Sequence, residues 1–211
     1  MGGTPEKQAF RSAWIFLAVG LTGGLALAAP PPRDQGDWPC RQIKVADLAL
    51  AAIWAGPPIA EAQKHWRDDS EISDLAARLA ARRTPIETAE KLIVDFAKAA
   101  GERRNERLTL LFAALYDTLD SERSQVVAGL ERFGRTQKET AEELRRETEE
   151  LREAQDAHVD QEKLLQRSEK LQWDMRIFDE RRKSVSYVCE SPALIEQRLG
   201  ALARAIEAAM G

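Results

Sequence analysis

The sequence predicts an all-α protein: a helical bundle body carrying a long antiparallel coiled-coil helical hairpin as an arm. Three observations carry this. Charged residues make up 31% of the 211-residue chain and aromatics only 6%, a balance that suits long exposed helices better than a compact globule. Ala, Arg and Glu are abundant and β-branched residues few, which favours helix over strand. Large apolar residues recur at helical spacing through most of the chain and thin to one every seven residues beyond residue 134, the change from a broad buried face to a narrow seam.

Residues 1–28 read as a secretory signal peptide. Lys7 and Arg11 give a basic start, an apolar run follows from Ala13 to Leu27, and Ala26, Ala28 and Ala29 form a small-x-small site with cleavage expected after Ala28. The competing reading is an uncleaved membrane anchor. Against it, the run is about 17 residues even when counted through Ala29, the low edge of what spans a bilayer. Gly20, Gly23 and Gly24 dilute it, and Pro30, Pro31 and Pro32 stop any continuing helix. Residues 29–37 form a polar, proline-rich leader expected to be disordered.

The helical body is expected over 38–120 and 187–211. Trp38-Pro39-Cys40 opens a short irregular stretch that packs on the core. Asp47 can cap a short helix, Leu48 to Trp54, that Gly56-Pro57-Pro58 ends. Ile59 to Arg67 adds a turn or two. A stronger helix starts near Ser70, with Ile72, Leu75, Ala76 and Leu79 on one face. Thr84-Pro85-Ile86-Glu87 predicts an N-cap, a proline at N1 and a capping box. The helix behind it buries Ala89, Leu92, Ile93 and Phe96 and ends at Gly101. The next, about Arg103 to Leu119, carries the most apolar stripe of the chain, with Leu108, Leu111, Phe112, Leu115 and Tyr116. A last helix, with Ser191 as N-cap and Pro192 at N1, presents Leu194, Ile195, Leu199, Leu202 and Ile206.

The arm is expected over 121–186. Val126, Val127, Leu130 and Phe133 are core-facing near its base. Beyond Gly134 the seam is Leu144 and Leu151, then Leu164, Leu171 and Phe178, with Val185 continuing the second series. The step from Leu151 to Leu164 is one residue short of two heptads, and Asp160 between them can cap a new helix. The polar stretch 155–161 and the Asp160 cap, together with that slip, favour an antiparallel hairpin with arms near 122–155 and 161–186 over one unbroken helix. A hairpin also returns Cys189 to the body that holds Cys40. The two cysteines are expected to form a disulfide, because export leads to an oxidising compartment. Their spacing is far from Cys-x-x-Cys, which argues against a redox pair or c-type haem.

Little in the chain resembles catalytic chemistry. It has no Gly-x-Ser-x-Gly, no phosphate-binding glycine loop and no His-Glu-x-x-His, so no enzyme activity and no cofactor are expected. His65 with Glu61, Asp68 and Asp69, and His158 with Asp156, Asp160 and Glu162, are the two clusters that could touch a metal. Each has a single histidine and no nearby cysteine, so no metal site is expected. Ser73 through Leu92 imitates a helix-turn-helix, but a net charge of −4 lacks the basic face that nucleic acid needs. Cleavage of residues 1–28 moves that charge one unit further negative. Trp38 and Trp54 are expected in the core, and Trp173 on the second arm is the tryptophan to watch.

The layout resembles exported bacterial helical chaperones and coiled-coil adaptors in architecture and compartment alone. The expected function is therefore contact with other envelope or periplasmic proteins, as a scaffold, adaptor or holdase-like factor. The arm's tip and its charged faces would meet the partner. Neither nucleic acid nor, after cleavage, membrane is an expected partner. The seam suits pairing within one chain or between copies, so homo-oligomers stay open. The alternatives are a periplasmic small-ligand or metal sensor, and an envelope protein held by an uncleaved N-terminal helix.

Overall fold

The structure is a computed structural model and describes residues 36–157 and 160–211. Residues 29–35 of the leader and the cleavage site at Ala26, Ala28 and Ala29 lie outside the described residues, as does His158. The described chain is all-α: α1 Leu50–Ile53, α2 Ala62–His65, α3 Ser70–Ala80, α4 Ile86–Ala100, α5 Arg104–Asp156, α6 Gln161–Cys189 and α7 Ser191–Met210. None of these helices is long and apolar enough to cross a membrane.

The body packs α3, α4 and α7 around the first half of α5. Its centre is the stripe read from the sequence: Leu108, Leu111, Phe112 and Leu115 are fully buried, against Ile72, Leu79, Ile93, Leu199, Leu202 and Ile206. Trp54 stacks on Phe112 with ring centroids 3.9 Å apart. Each such aliphatic or aromatic side chain removed from water is worth roughly 1.5–3 kcal/mol.

Helix ends follow local chemistry, with three departures from expectation. Asp69 caps α3, its carboxylate accepting from the Ile72 amide at 3.1 Å. Thr84 does not cap α4. Pro85 holds that position with ψ 146°, and its carbonyl takes the first helical amides, Thr88 and Ala89. The Thr84 hydroxyl turns back instead and donates to the Arg78 carbonyl at 2.7 Å, satisfying the end of α3. Asp47 does not cap α1, which begins after Ala49 with no side-chain cap. Ser191 is likewise no cap: Glu190 is already helical (φ −79°, ψ −20°), so α6 and α7 are separated by one residue only. Gly101, at φ 56°, ends α4 in the left-handed region that glycine tolerates.

The expected break near residue 120 is absent. Body helix and first arm are one 53-residue helix, α5, about 80 Å long. Neither glycine nor proline occurs between Arg104 and Ala128, so nothing stops the helix where its apolar face narrows. The arm itself is the antiparallel hairpin of α5 and α6. Asp160 caps α6, accepting from the Glu162 amide at 3.0 Å. Lys170 ties the two helices, donating to Glu147 at 3.0 Å and to Asp174 at 2.8 Å. Those two carboxylates, Asp174 first, raise its pKa above the ordinary lysine value. Along the seam Leu144 and Leu171 are buried, while Leu151, Leu164 and Phe178 are half-buried. On α7 the buried stripe is narrower than expected. Ile195, Leu199, Leu202 and Ile206 are inside, but Leu194 lies on the outer flank, 49% exposed.

Candidate functional site

A strap formed by residues 36–46 runs along one flank of α5 where the hairpin leaves the body. Cys40 and Cys189 are disulfide-bonded, with Cα atoms 5.6 Å apart, and share a small cluster with Leu130 and Val185. The Gln42 amide donates to the Cys189 carbonyl, and Lys44 pairs with Glu131. Gly36 and Asp37, expected in the disordered leader, are docked. Lys138 donates to the Gly36 carbonyl at 2.7 Å, and Arg135 and Lys138 each reach Asp37 at 3.2 Å. These hydrogen bonds, Lys138 first, hold the Asp37 carboxyl below its ordinary pKa. The strap lies so close that a Cβ on Gly134 would stand 1.7 Å from the Asp37 carbonyl oxygen.

Arg123 anchors the other end of the strap. It is 1% exposed. Its guanidinium donates to Glu196 of α7 at 2.6 Å, to the Val45 carbonyl at 2.7 Å and to the Ala46 carbonyl at 3.0 Å. Sequence reasoning missed this residue. A signal was there: Arg123 falls in phase with Leu119, Val127 and Leu130, a lone cation on an apolar helical stripe.

The opposite flank of the hairpin base is uncovered. Arg123, Val127, Glu131, Gly134 and Lys138 repeat on the strap side of α5, whereas Val126, Gly129 and Phe133 repeat on the other. With Trp173, Ile177, Val185 and Val188 of α6 they form an open groove of about 600 Å³. Its floor is apolar. Trp173 is 59% exposed and Val188 45% exposed. Arg176 and Arg181 stand on the α6 side of the groove, the Arg176 guanidinium 6.0 Å from the Trp173 ring centroid. Arg132 lies over the Gly129 side, its Nη2 3.8 Å from where a Gly129 Cβ would be.

The remaining polar candidates lie in exposed pairs or at a helix cap. Glu61 pairs with Lys64 at 2.8 Å, and His65 Nδ1 is 3.7 Å from Asp68. Asp69 receives Arg107 at 3.0 Å as well as the Ile72 amide. Both interactions, the amide first, lower its pKa. No three His, Cys, Asp or Glu residues among the described ones are grouped to hold a metal ion. Trp54 is core, as expected. Trp38 is half-buried at the disulfide cluster and donates to the Gln42 carbonyl at 2.8 Å. Trp66, which the sequence left unassigned, donates to Asp117 at 2.8 Å.

No protein-family model, curated protein or solved structure matches this chain. The functional reading therefore rests on the hairpin base itself.

Proposed function

We propose that this is an exported, non-enzymatic helical protein of the bacterial periplasm that works by protein–protein contact, as a scaffold, adaptor or holdase-like factor. The groove at the hairpin base is its contact surface, and its partners are other envelope or periplasmic proteins. The observation that carries this is an apolar floor bearing an exposed tryptophan, on a helix pair whose other flank is covered by the chain's own strap. An exposed aromatic beside aliphatic side chains is the composition of a contact hot spot. Export is supported by the signal-like leader and by the Cys40–Cys189 bond, which persists in oxidising compartments.

A photoreactive amino acid placed at Trp173, and separately at the exposed Tyr187, tests this in a Gram-negative host. Position 173 is expected to crosslink discrete envelope proteins, identifiable by mass spectrometry, far more strongly than position 187. Equal or absent crosslinking from 173, or a chain recovered only from the cytosol, would overturn the reading.

A further inference from the structure

We propose that the groove accepts an acidic amphipathic helix of a partner protein, laid as a third helix against α5 and α6. This deepens the contact reading and rests on it. Between Trp173 and Val188 the groove wall on α6 runs about 22 Å, the length of four helical turns. Its two walls are antiparallel helices, and a groove between helices takes the apolar face of another helix presented at i, i+3, i+4 and i+7. The floor residues Val126, Phe133, Trp173 and Ile177 supply that apolar contact, with Leu130 buried beneath them.

Charge selects the occupant. The chain as a whole is negative, −4, but the groove's rim is not. Arg132, Arg176 and Arg181 stand there, and no ion pair among the described residues engages them. One carboxylate, Glu180, also lines the groove; it pairs with Lys183 at 2.9 Å, and Asp179 beside it pairs with Arg182 at 3.2 Å, so the cations outnumber the carboxylates around the floor. Three guanidinium groups with free donors, set around an apolar floor, match a helix whose apolar stripe is flanked by Asp or Glu. A second copy of this chain fits poorly. A two-fold contact through the same groove would bring the three arginines of each copy together.

The test uses the disulfide-bonded chain without residues 1–28 and two labelled synthetic peptides of about 18 residues, long enough to fill the groove. Both carry the same Leu/Ile stripe at helical spacing, one flanked by Glu and the other by Lys. Fluorescence anisotropy at low salt is expected to give the Glu peptide at least about tenfold tighter binding. Arg176→Glu with Arg181→Glu should reverse the preference. These positions are exposed, so the variant should fold, as circular dichroism will check. Trp173→Ala should weaken both peptides. Equal affinity for the two peptides, or a preference for Lys, rejects an acidic occupant while leaving the contact reading intact. Binding of neither also rejects it, and a dimer in sedimentation that Trp173→Ala dissociates would assign the groove to a second copy. The crosslinking from position 173 judges the contact reading separately.

Discussion

Arg123 of α5 and Glu196 of α7 form a 2.6 Å ion pair in which the arginine is 1% exposed. The pair joins three parts of the chain, because the same guanidinium also holds the strap carbonyls of Val45 and Ala46. It fixes the hairpin's root to the body and aligns the strap along one flank, which leaves the other flank as the groove.

Replacing Arg123 with Met keeps most of its volume and removes three charge-assisted hydrogen bonds. Glu196 is partly exposed and can rehydrate, so the loss is expected near about 2–3 kcal/mol, below that for a fully buried orphan charge. Urea unfolding measures it. Arg123→Lys should recover little, because an ammonium cannot offer the same planar fork to three acceptors. A variant as stable as wild type would remove Arg123 from its anchoring role.

The disulfide closes a loop between residues 149 apart in sequence. Loop-entropy reasoning puts its contribution near about 4–5 kcal/mol, and the cost of breaking it is larger still if the strap then peels away from α5. Cys40→Ser should lower the melting temperature markedly, and dithiothreitol should lower wild type to match while leaving the variant unchanged. A reductant-insensitive wild type would contradict the bond.

Gly129 and Gly134 sit five residues apart on one helix and should answer oppositely to alanine. At Gly129 only the flexible end of Arg132 comes within 4 Å of an added Cβ, so Gly129→Ala should stabilise by about 1 kcal/mol through helix propensity. At Gly134 the Cβ would strike the Asp37 carbonyl. Gly134→Ala should therefore displace residues 36–39, break the Asp37 pairs and give a net loss of stability. Thermal unfolding of the two variants side by side decides it.

Asp69 links stability to pH. Its pKa is lowered in the folded chain, by the Ile72 amide first and by the Arg107 charge after burial is counted against it. The unfolded chain then binds the proton more readily, so the stabilisation is full above the ordinary carboxylate value and lost as pH falls through the lowered one. Asp69→Ala should cost about 1 kcal/mol at neutral pH. The gap from wild type should close in acid, below the ordinary value of 3.8. A constant gap across the titration would mean that the carboxylate's charge contributes nothing.

Periodicity and punctuation made the helices readable. The apolar stripes at 72–79, 89–96 and 108–116 lie where burial places them, Gly101 ends α4, and Asp160 starts α6. The disulfide followed from compartment chemistry and from the hairpin's return. What stayed hidden has a common physical cause: it depends on what packs against a side chain. Thr84-Pro85 has the composition of a capping box, yet Pro85 stays extended and takes the cap position, and the Thr84 hydroxyl donates to the Arg78 carbonyl of α3 instead. The richest apolar stripe ends near Leu119, which suggests a boundary there, but the end of a stripe does not stop a helix. The strap's last anchor, Arg123, looked like any surface arginine. The groove was only half legible: Trp173 stood out, while Phe133 and Val126 passed as ordinary core. The seam leucines are legible, though only Leu144 and Leu171 are buried, because two helices alone cannot enclose a seam.

The most direct measurement separates the hairpin's base from its tip. A chain lacking residues 150–168, closed by a short glycine-rich turn, keeps both walls of the groove and the disulfide. Crosslinking from Val188 in the periplasm should capture the same partner from this shortened chain as from the full one, and Trp173→Asp in the full chain should abolish it. Capture lost on shortening but retained in Trp173→Asp would place the working surface at the tip and contradict the account.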